Sequence, residues 1–477
     1  MTQEMLLAIA PQLLLSLGIA ISLLFVAWQR SQLMIQRLTQ LIIFTAIVIN
    51  CQSFYQPTIA VTDLVLVDSI SRFAFFLLAS VVLVVSQLSR EFLQQHSEVH
   101  DEYYLLLQLL LLGASILIIS DHFATLFLGF ELLSIALVGL VGYIRNKKHV
   151  VETGFKYLIL SATASSFMLL GIAFIYSQTG QLNFTESLSL LTIDDAMSDF
   201  YLLGVVLFMV GLVFKLSLVP FHFWTPDVYQ GAPSLVTMLM ATVSKVAMFV
   251  ILLKVWLTLA VFQSDNLITL VSCFAIASML VGNLLALQQT HIKRLLAYSS
   301  IAHMGYLLIV LVINSQTNIS LAWQSSLFYL AAYLLATVSI FIVICATEHV
   351  HGDIEVELET WRGLFWQHRG LAVLLLLALL SLAGIPLSMG FIGKFYLLAY
   401  ATTSQLWGII FSLIIGSGIG LFYYLRVIFM IFNDPKPESN SVPLLNNKLS
   451  LSVQAFVLIL SSLALFLGLH FGILRPA

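Results

Sequence analysis

The chain has 477 residues, of which 60% are hydrophobic and only 9% charged, with a net charge of −3. Soluble domains carry roughly 25% charged residues, so a soluble fold is excluded. The small negative net charge also excludes a nucleic-acid partner. The composition is that of an all-α polytopic membrane protein.

A membrane span needs about 20 mostly apolar residues. On that rule helices are expected near 4–27, 38–55, 67–89, 103–119, 122–142 and 154–177. They continue near 200–228, 233–262, 265–289, 297–313, 322–347, 369–402, 404–432 and 450–472, about fourteen in all. The first apolar run lacks a basic leader and a small-residue cleavage site, so it reads as a span. Basic residues test the count. Arg30 and Arg37 fall in the first connection, Arg90 in the third, and Arg145, Lys147 and Lys148 in the fifth. Lys293 and Arg294 fall in the ninth, Arg362 and Arg369 in the eleventh, and Lys436 and Lys448 in the thirteenth. The connections 51–66, 178–199, 314–321 and 402–406 have none. The positive-inside rule then places the odd-numbered loops in the cytoplasm and both termini on the outer, periplasmic side.

Helices 7 and 12 are expected to be broken. Helix 7 is interrupted at Pro220, just after Lys215, and helix 12 across LAGIPLSMGFIGKF, with Gly384, Pro386 and Gly390 before Lys394. Broken helices in corresponding places of two halves mark an ion site near the midplane. The breaks are five helices apart, which predicts two five-helix repeats, spans 4–8 and 9–13, of opposite membrane orientation. The expected domains are 1–100 (helices 1–3), 101–264 and 265–432 (the two repeats), and 433–477 (a loop and helix 14). Freed backbone groups at a break need protein or water around them, so each break predicts a polar pocket.

Charges deep in spans are costly and mark function. Glu131 lies near the centre of helix 5, Lys215 on helix 7, Lys245 near the middle of helix 8 and Lys394 just past the break in helix 12. One glutamate cannot pair three lysines, so a fixed ion pair does not explain the set. Burial disfavours a charged lysine, and a nearby movable carboxylate restores it. Such a lysine is a proton carrier. Lys254, nearer the outer end of helix 8, is expected to snorkel, and Lys156 and Arg426 to anchor at the cytoplasmic interface. His303, in YSSIAHMGY, and His222, after Pro220, are further relay candidates, His222 the weaker. His122 reads as interfacial, His349 and His351 as solvated, and Tyr298, Ser299 and Ser300 as polar residues of a packing face or a water chain.

Cys51, Cys273 and Cys345 lack metal or disulfide spacing and read as small buried hydrophobes. Gly416, Gly418 and Gly420 lie inside an apolar run with no preceding strand, so they read as helix-packing positions. The chain shows no iron–sulfur cysteine set, nucleotide-binding glycine pattern or catalytic triad. Any redox or nucleotide chemistry that drives transport belongs elsewhere.

The runs LFLGFELLSIALVGLVGY, KYLILSATASSFMLLG, GLVFKLSLVPFHFWTPDVYQGAP, THIKRLLAYSSIAHMGY and SLAGIPLSMGFIGKFYLL resemble the antiporter-like membrane subunits of proton-pumping NADH:quinone oxidoreductase, respiratory complex I. The likeness covers about Asp101 to Leu425 most specifically and is nearest the bacterial N-type branch. The chain stops soon after helix 14, without the long extension of L-type chains, and carries Lys394 where M-type chains are expected to have a glutamate. The resemblance implies that Glu131 pairs with Lys215, that Lys245 is the central relay lysine and that Lys394 is the terminal one. It places His303 in a motif lining the central axis. It implies no cofactor in this chain, with FMN and iron–sulfur clusters in partner subunits. The partners it implies are other membrane-arm subunits, such as the M, K and J types, together with membrane lipids, in the bacterial inner membrane. The rival reading is the large subunit of a multi-subunit Na+/H+ antiporter. Sodium sites favour several oxygen ligands, whereas three lysines and one glutamate suit protons better.

Overall fold

The computed structural model describes residues 3–28, 31–96, 101–144, 148–184, 199–258, 264–313, 319–351 and 357–434. The expected helix 14, Arg30, Arg145, Lys147, Lys436, Lys448 and most of 178–199 lie outside the described residues, as do the side chains of His349 and His351. Among the described residues, twelve helices are long and apolar enough to cross a membrane. The chain is a multi-pass membrane protein. The difference from fourteen has two sources: helix 14 is not described, and helix 12 appears as two short halves.

The chain packs as two units, Met1–Leu216 with Gly231–Phe262 and Ser217–Gln230 with Gln263–Ala477. In the first, α1 (Gln3–Ala8), α2 (Ala10–Trp28) and α3 (Gln32–Gln52) lead to a hairpin of β1 (Ile59–Thr62) and β2 (Val65–Val67). There follow α4 (Ser69–His96), α5 (Asp101–Ile119), α6 (Phe123–Val141), α7 (Lys148–Thr179) and α8 (Asp199–Leu216). After α9 (Trp224–Gly231) come α10 (Ser234–Leu239), a π-helical turn at Met240–Ser244 and α11 (Lys245–Thr258). The span Ser234–Thr258 is buried along its whole length, which explains its lack of a polar face.

The second unit continues with α12 (Asp265–Leu287), α13 (Ile292–Val312), α14 (Ile319–His351), α15 (Leu364–Gln367), α16 (Arg369–Ala383), α17 (Met389–Thr403) and α18 (Trp407–Phe432). Helix pairs pack backbone to backbone in both units, α7 and α8 among them, where a Cβ at Gly171 would lie 2.3 Å from Phe208 N. On α5 and α6, a Cβ at Gly113 would lie 2.6 Å from Leu133 N, and one at Gly129 2.7 Å from Leu117 N. On α12 and α13, a Cβ at Gly282 would lie 2.8 Å from Ala302 N, and one at Gly305 2.9 Å from Met279 N. Such approach is open to glycine alone, and in an apolar solvent close packing is what draws helices together. The α5–α6 and α12–α13 pairs are spans 4–5 and 9–10 of the sequence count, and the α7–α8 pair is spans 6–7.

The end of the first unit that carries the hairpin is knitted by backbone bonds: Asp121 N donates to Leu64 O (3.1 Å) and Phe184 N to Asp121 O (3.2 Å). Lys254 lies there too, but it does not snorkel. It is 7% exposed and pairs with Asp68 at 3.2 Å, because α11 is enclosed on all sides. Burial pushes the Asp121 carboxyl above the usual carboxylate range, against the pull of the Lys254 charge. His122 caps α6, its Nδ1 accepting from Ala124 N at 3.1 Å. Lys156 is exposed and pairs with Glu152 at 2.7 Å. Arg426 donates to Leu287 O (3.0 Å) and Gln289 O (2.7 Å), closing the C-terminal end of α12. All three cysteines are free thiols. Contrary to expectation, Cys51 and Cys273 are exposed and Cys345 is half-buried, since a small apolar side chain on a helix need not face the core.

Candidate functional site

Lys215 is in the last turn of α8, where its ammonium favours the negative end of the helix dipole. The residue is 1% exposed. Its Nζ donates to Tyr157 Oη at 2.7 Å and Ser161 Oγ at 3.1 Å, both from α7. It also faces the rings of Tyr157 (4.8 Å) and Phe130 (5.3 Å). Phe130, on α6, is followed directly by Glu131, which brings a carboxylate to the same neighbourhood as the ammonium. The contact implied between the two is not closed. Among the described residues, no ion pair joins them, and Glu131 Oε1 is buried without a hydrogen-bond partner. The cation is therefore held by neutral hydroxyls beside a carboxylate that does not touch it. Tyr157 and Ser161 were not singled out by the sequence; their four-residue spacing on one helical face was the available signal.

Lys245 is fully buried and directly follows the π-helical turn. Such turns widen the backbone ladder by one residue and recur at functional positions. Nothing in the apolar run MATVSK announced it.

The chain beyond Lys215 turns sharply. Ser217 adopts φ +61°, the Val219–Pro220 peptide is cis, and Val219 N donates to Ser278 Oγ at 3.0 Å. In this segment three polar atoms are buried without a hydrogen-bond partner among the described residues: Ser217 Oγ, His222 Nδ1 and Thr225 Oγ1. Buried polar atoms are rarely left so, and ordered water is their usual partner. The segment has the polarity expected of a hydrated break. At its end, Asp227 accepts from Arg294 at 2.7 Å.

Lys394 is seated by the second break. α16 ends in a glycine cap: Gly384, at φ +80°, donates from its N to Leu380 O and Ser381 O, and Ile385 N also reaches Leu380 O. This arrangement satisfies the earlier carbonyls and leaves the last ones free. Lys394, one turn and more into α17, takes them, donating to Leu382 O at 2.8 Å and Ala383 O at 3.2 Å. A Cβ at Gly384 would stand 3.2 Å from Lys394 Nζ, and one at Gly390 only 1.8 Å from Ser381 O. Both glycines are thus required by the geometry that seats the lysine. Ser388 restarts the helix, accepting from Phe391 N at 3.3 Å.

His303 on α13 is the centre of a tyrosine cluster. Its Nδ1 is 2.6 Å from Tyr329 Oη and its Nε2 3.2 Å from Tyr424 Oη. Tyr424 hydrogen-bonds Ser299 in turn. Ser300 is turned back onto Ala297 O at 2.7 Å. The sequence named His303 and Ser299 but not the tyrosines, which come from α14 and α18 and meet them only through tertiary packing. No group of three or more His, Cys, Asp or Glu side chains is placed to hold a metal among the described residues.

A family model described as the transmembrane region of NADH:quinone oxidoreductase and Mrp antiporters matches residues 120–420. The chain is similar to one in respiratory complex I from Thermus thermophilus, at 31% identity and a TM-score of 0.82, covering 97% of each chain. It shares its fold with a chain of an archaeal membrane-bound sulfane sulfur reductase, at 22% identity, a TM-score of 0.85 and coverage of 98% of this chain and 95% of that one. It shares it also with a chain of the Mrp complex from Dietzia sp., at 19% identity, a TM-score of 0.85 and coverage of 99% and 96%.

Proposed function

Because the chain belongs to the NADH:quinone oxidoreductase/Mrp antiporter transmembrane family, we propose that it is a proton-translocating membrane-arm subunit of an NADH:quinone oxidoreductase, of the N type. The observation that carries this reading is the state of Lys215. It is 1% exposed, donates to two neutral hydroxyls and has Glu131 at hand but not in contact. A structural ion pair would be closed, since leaving buried charges apart costs several kcal/mol. An open pair with a charge-stabilising cage is what a switch requires. When the carboxylate approaches, the ammonium form is favoured; when it withdraws, the proton is free to move on.

Protons taken up from the cytoplasm reach Lys215 and Lys245, and leave past Lys394, with His303 and its tyrosines in the second set of polar groups. His222 contributes, more weakly, through the polar segment after Lys215. The driving force comes from quinone reduction in other subunits, which hold the FMN and iron–sulfur clusters. The partners are the neighbouring M, K and J types in a bacterial inner membrane.

The second reading, the large subunit of a Na+/H+ antiporter, rests on the shared fold with the Mrp chain. Two measurements separate them. Purification of the native complex should bring flavin and iron–sulfur polypeptides with this chain, and proton uptake by inverted vesicles driven by NADH should proceed without sodium. A complex free of redox subunits, or transport that stops when sodium is removed, would refute the NADH:quinone oxidoreductase assignment.

A further inference from the structure

Asn283 is the one amide in the apolar run SMLVGNLLAL of α12, 1% exposed, and every polar atom of its side chain is engaged. Its Nδ2 donates to Met279 O at 2.6 Å and to Tyr306 Oη at 2.9 Å, while its Oδ1 accepts from Tyr423 Oη at 3.0 Å. Room for this junction is made by α18. A Cβ at Gly416 would lie 3.0 Å from both Asn283 Nδ2 and Tyr306 Oη, and one at Gly420 3.3 Å from Asn283 Oδ1. The glycines that look like simple packing positions in sequence thus clear space for a polar knot.

What the knot fixes is Tyr306. Its ring meets the His303 ring edge-on at 5.7 Å, and the Lys394 ammonium sits 5.2 Å from its centroid. Tyr306 therefore stands between the relay histidine and the terminal lysine. The face of an aromatic ring attracts a cation, and the attraction depends on the ring lying across the cation's direction. A tyrosine hinged only at its Cβ would not hold that orientation; one tied at its hydroxyl to a buried amide does.

We propose that Asn283 is a positioning residue for proton transfer at Lys394. Acting through the Tyr306 hydroxyl, with Tyr423 holding the amide's other end, it keeps the Tyr306 ring against the ammonium and in line with His303. This inference rests on the proposed proton-translocating function and adds a residue to it.

The test is protons pumped per electron by the intact complex in inverted vesicles. Asn283→Leu and Tyr306→Phe each cut the same tether, so each should lower the ratio, and by the same amount. The Asn283→Leu/Tyr306→Phe double variant should be no worse than either single one, since residues acting through one another are not additive. Two independent packing defects would instead make the double variant worse than either single one. Gly416→Ala, which crowds the knot while keeping every hydrogen-bonding group, should give a smaller loss in the same direction, and it decides the matter if Asn283→Leu does not assemble. Normal pumping in Lys394→Met would overturn the proposed function and this inference together. Loss in Lys394→Met with normal pumping in Asn283→Leu, or in Gly416→Ala where the first does not assemble, or additive losses in the Asn283→Leu/Tyr306→Phe double variant, would overturn the positioning role alone.

Discussion

Lys215 and Lys394 are both buried lysines beside interrupted helices, yet they are held by different chemistry. Lys215 rests on two side-chain hydroxyls, with a carboxylate in reach but not in contact. Lys394 rests on two backbone carbonyls at the end of α16. The first environment can be altered by moving one side chain, Glu131. The second is built into the course of the main chain and changes only if the break itself changes. On the proposed mechanism a switch and a fixed seat are made from the same residue type, and the difference lies in whether side chain or backbone supplies the oxygens.

The sharpest way to break this comparison is at Glu131. Glu131→Ala should nearly abolish coupled proton pumping in inverted vesicles, and Glu131→Asp should be milder; no single carboxylate should have a comparable effect through Lys394. Next is Gly390→Ala. Its Cβ would fall 1.8 Å from Ser381 O, so the two halves of the break must part, at a cost of about 3 kcal/mol or more. The expected result is a lower melting temperature of the purified protein and loss of pumping, with the Lys215 cage intact. Tyr157→Phe should have an intermediate effect. It removes one of two hydroxyls on Lys215, a hydrogen bond to a charged donor worth about 1.5–3 kcal/mol, and leaves Ser161 and the ring. Pumping should fall partway, and Lys394→Met in the same background should still abolish it.

The smallest effect is away from both lysines, at Asp121. Burial raises its carboxyl above the ordinary value, so the folded protein favours the protonated form. That contribution is complete at low pH and is lost as pH rises through the raised value. Asp121→Asn removes the penalty on the charged form. It should stabilise the purified protein at neutral and alkaline pH and leave it unchanged at acid pH. A gain independent of pH would contradict the assignment.

Much of this was legible in the sequence. Span length gave the helices, and apolar runs interrupted by Pro220 and by Gly384–Pro386 gave both breaks, because lipid leaves the backbone few alternatives. Isolated charges in those runs gave Glu131, Lys215, Lys245 and Lys394. What escaped notice depends on contacts between distant segments. Tyr157 is 58 residues from Lys215, and Tyr424 is 121 from His303. Asn283 and Gly416 look like ordinary members of packed helices until they are seen together. The π-helical turn before Lys245 has no compositional mark. Lys254 departs from its expected snorkelling because position along a helix does not reveal whether its end faces water or, as here, an enclosing wall and Asp68.

The measurement that bears most directly on proton exchange at the buried lysines is the number of protons pumped per electron in Lys215→Ala, in the assembled complex reconstituted into sealed vesicles. Proton carriage by Lys215 requires the ratio to collapse while the complex still assembles. An assembled Lys215→Ala complex that pumps at the ratio of the unaltered protein would show that the lysine does not carry them.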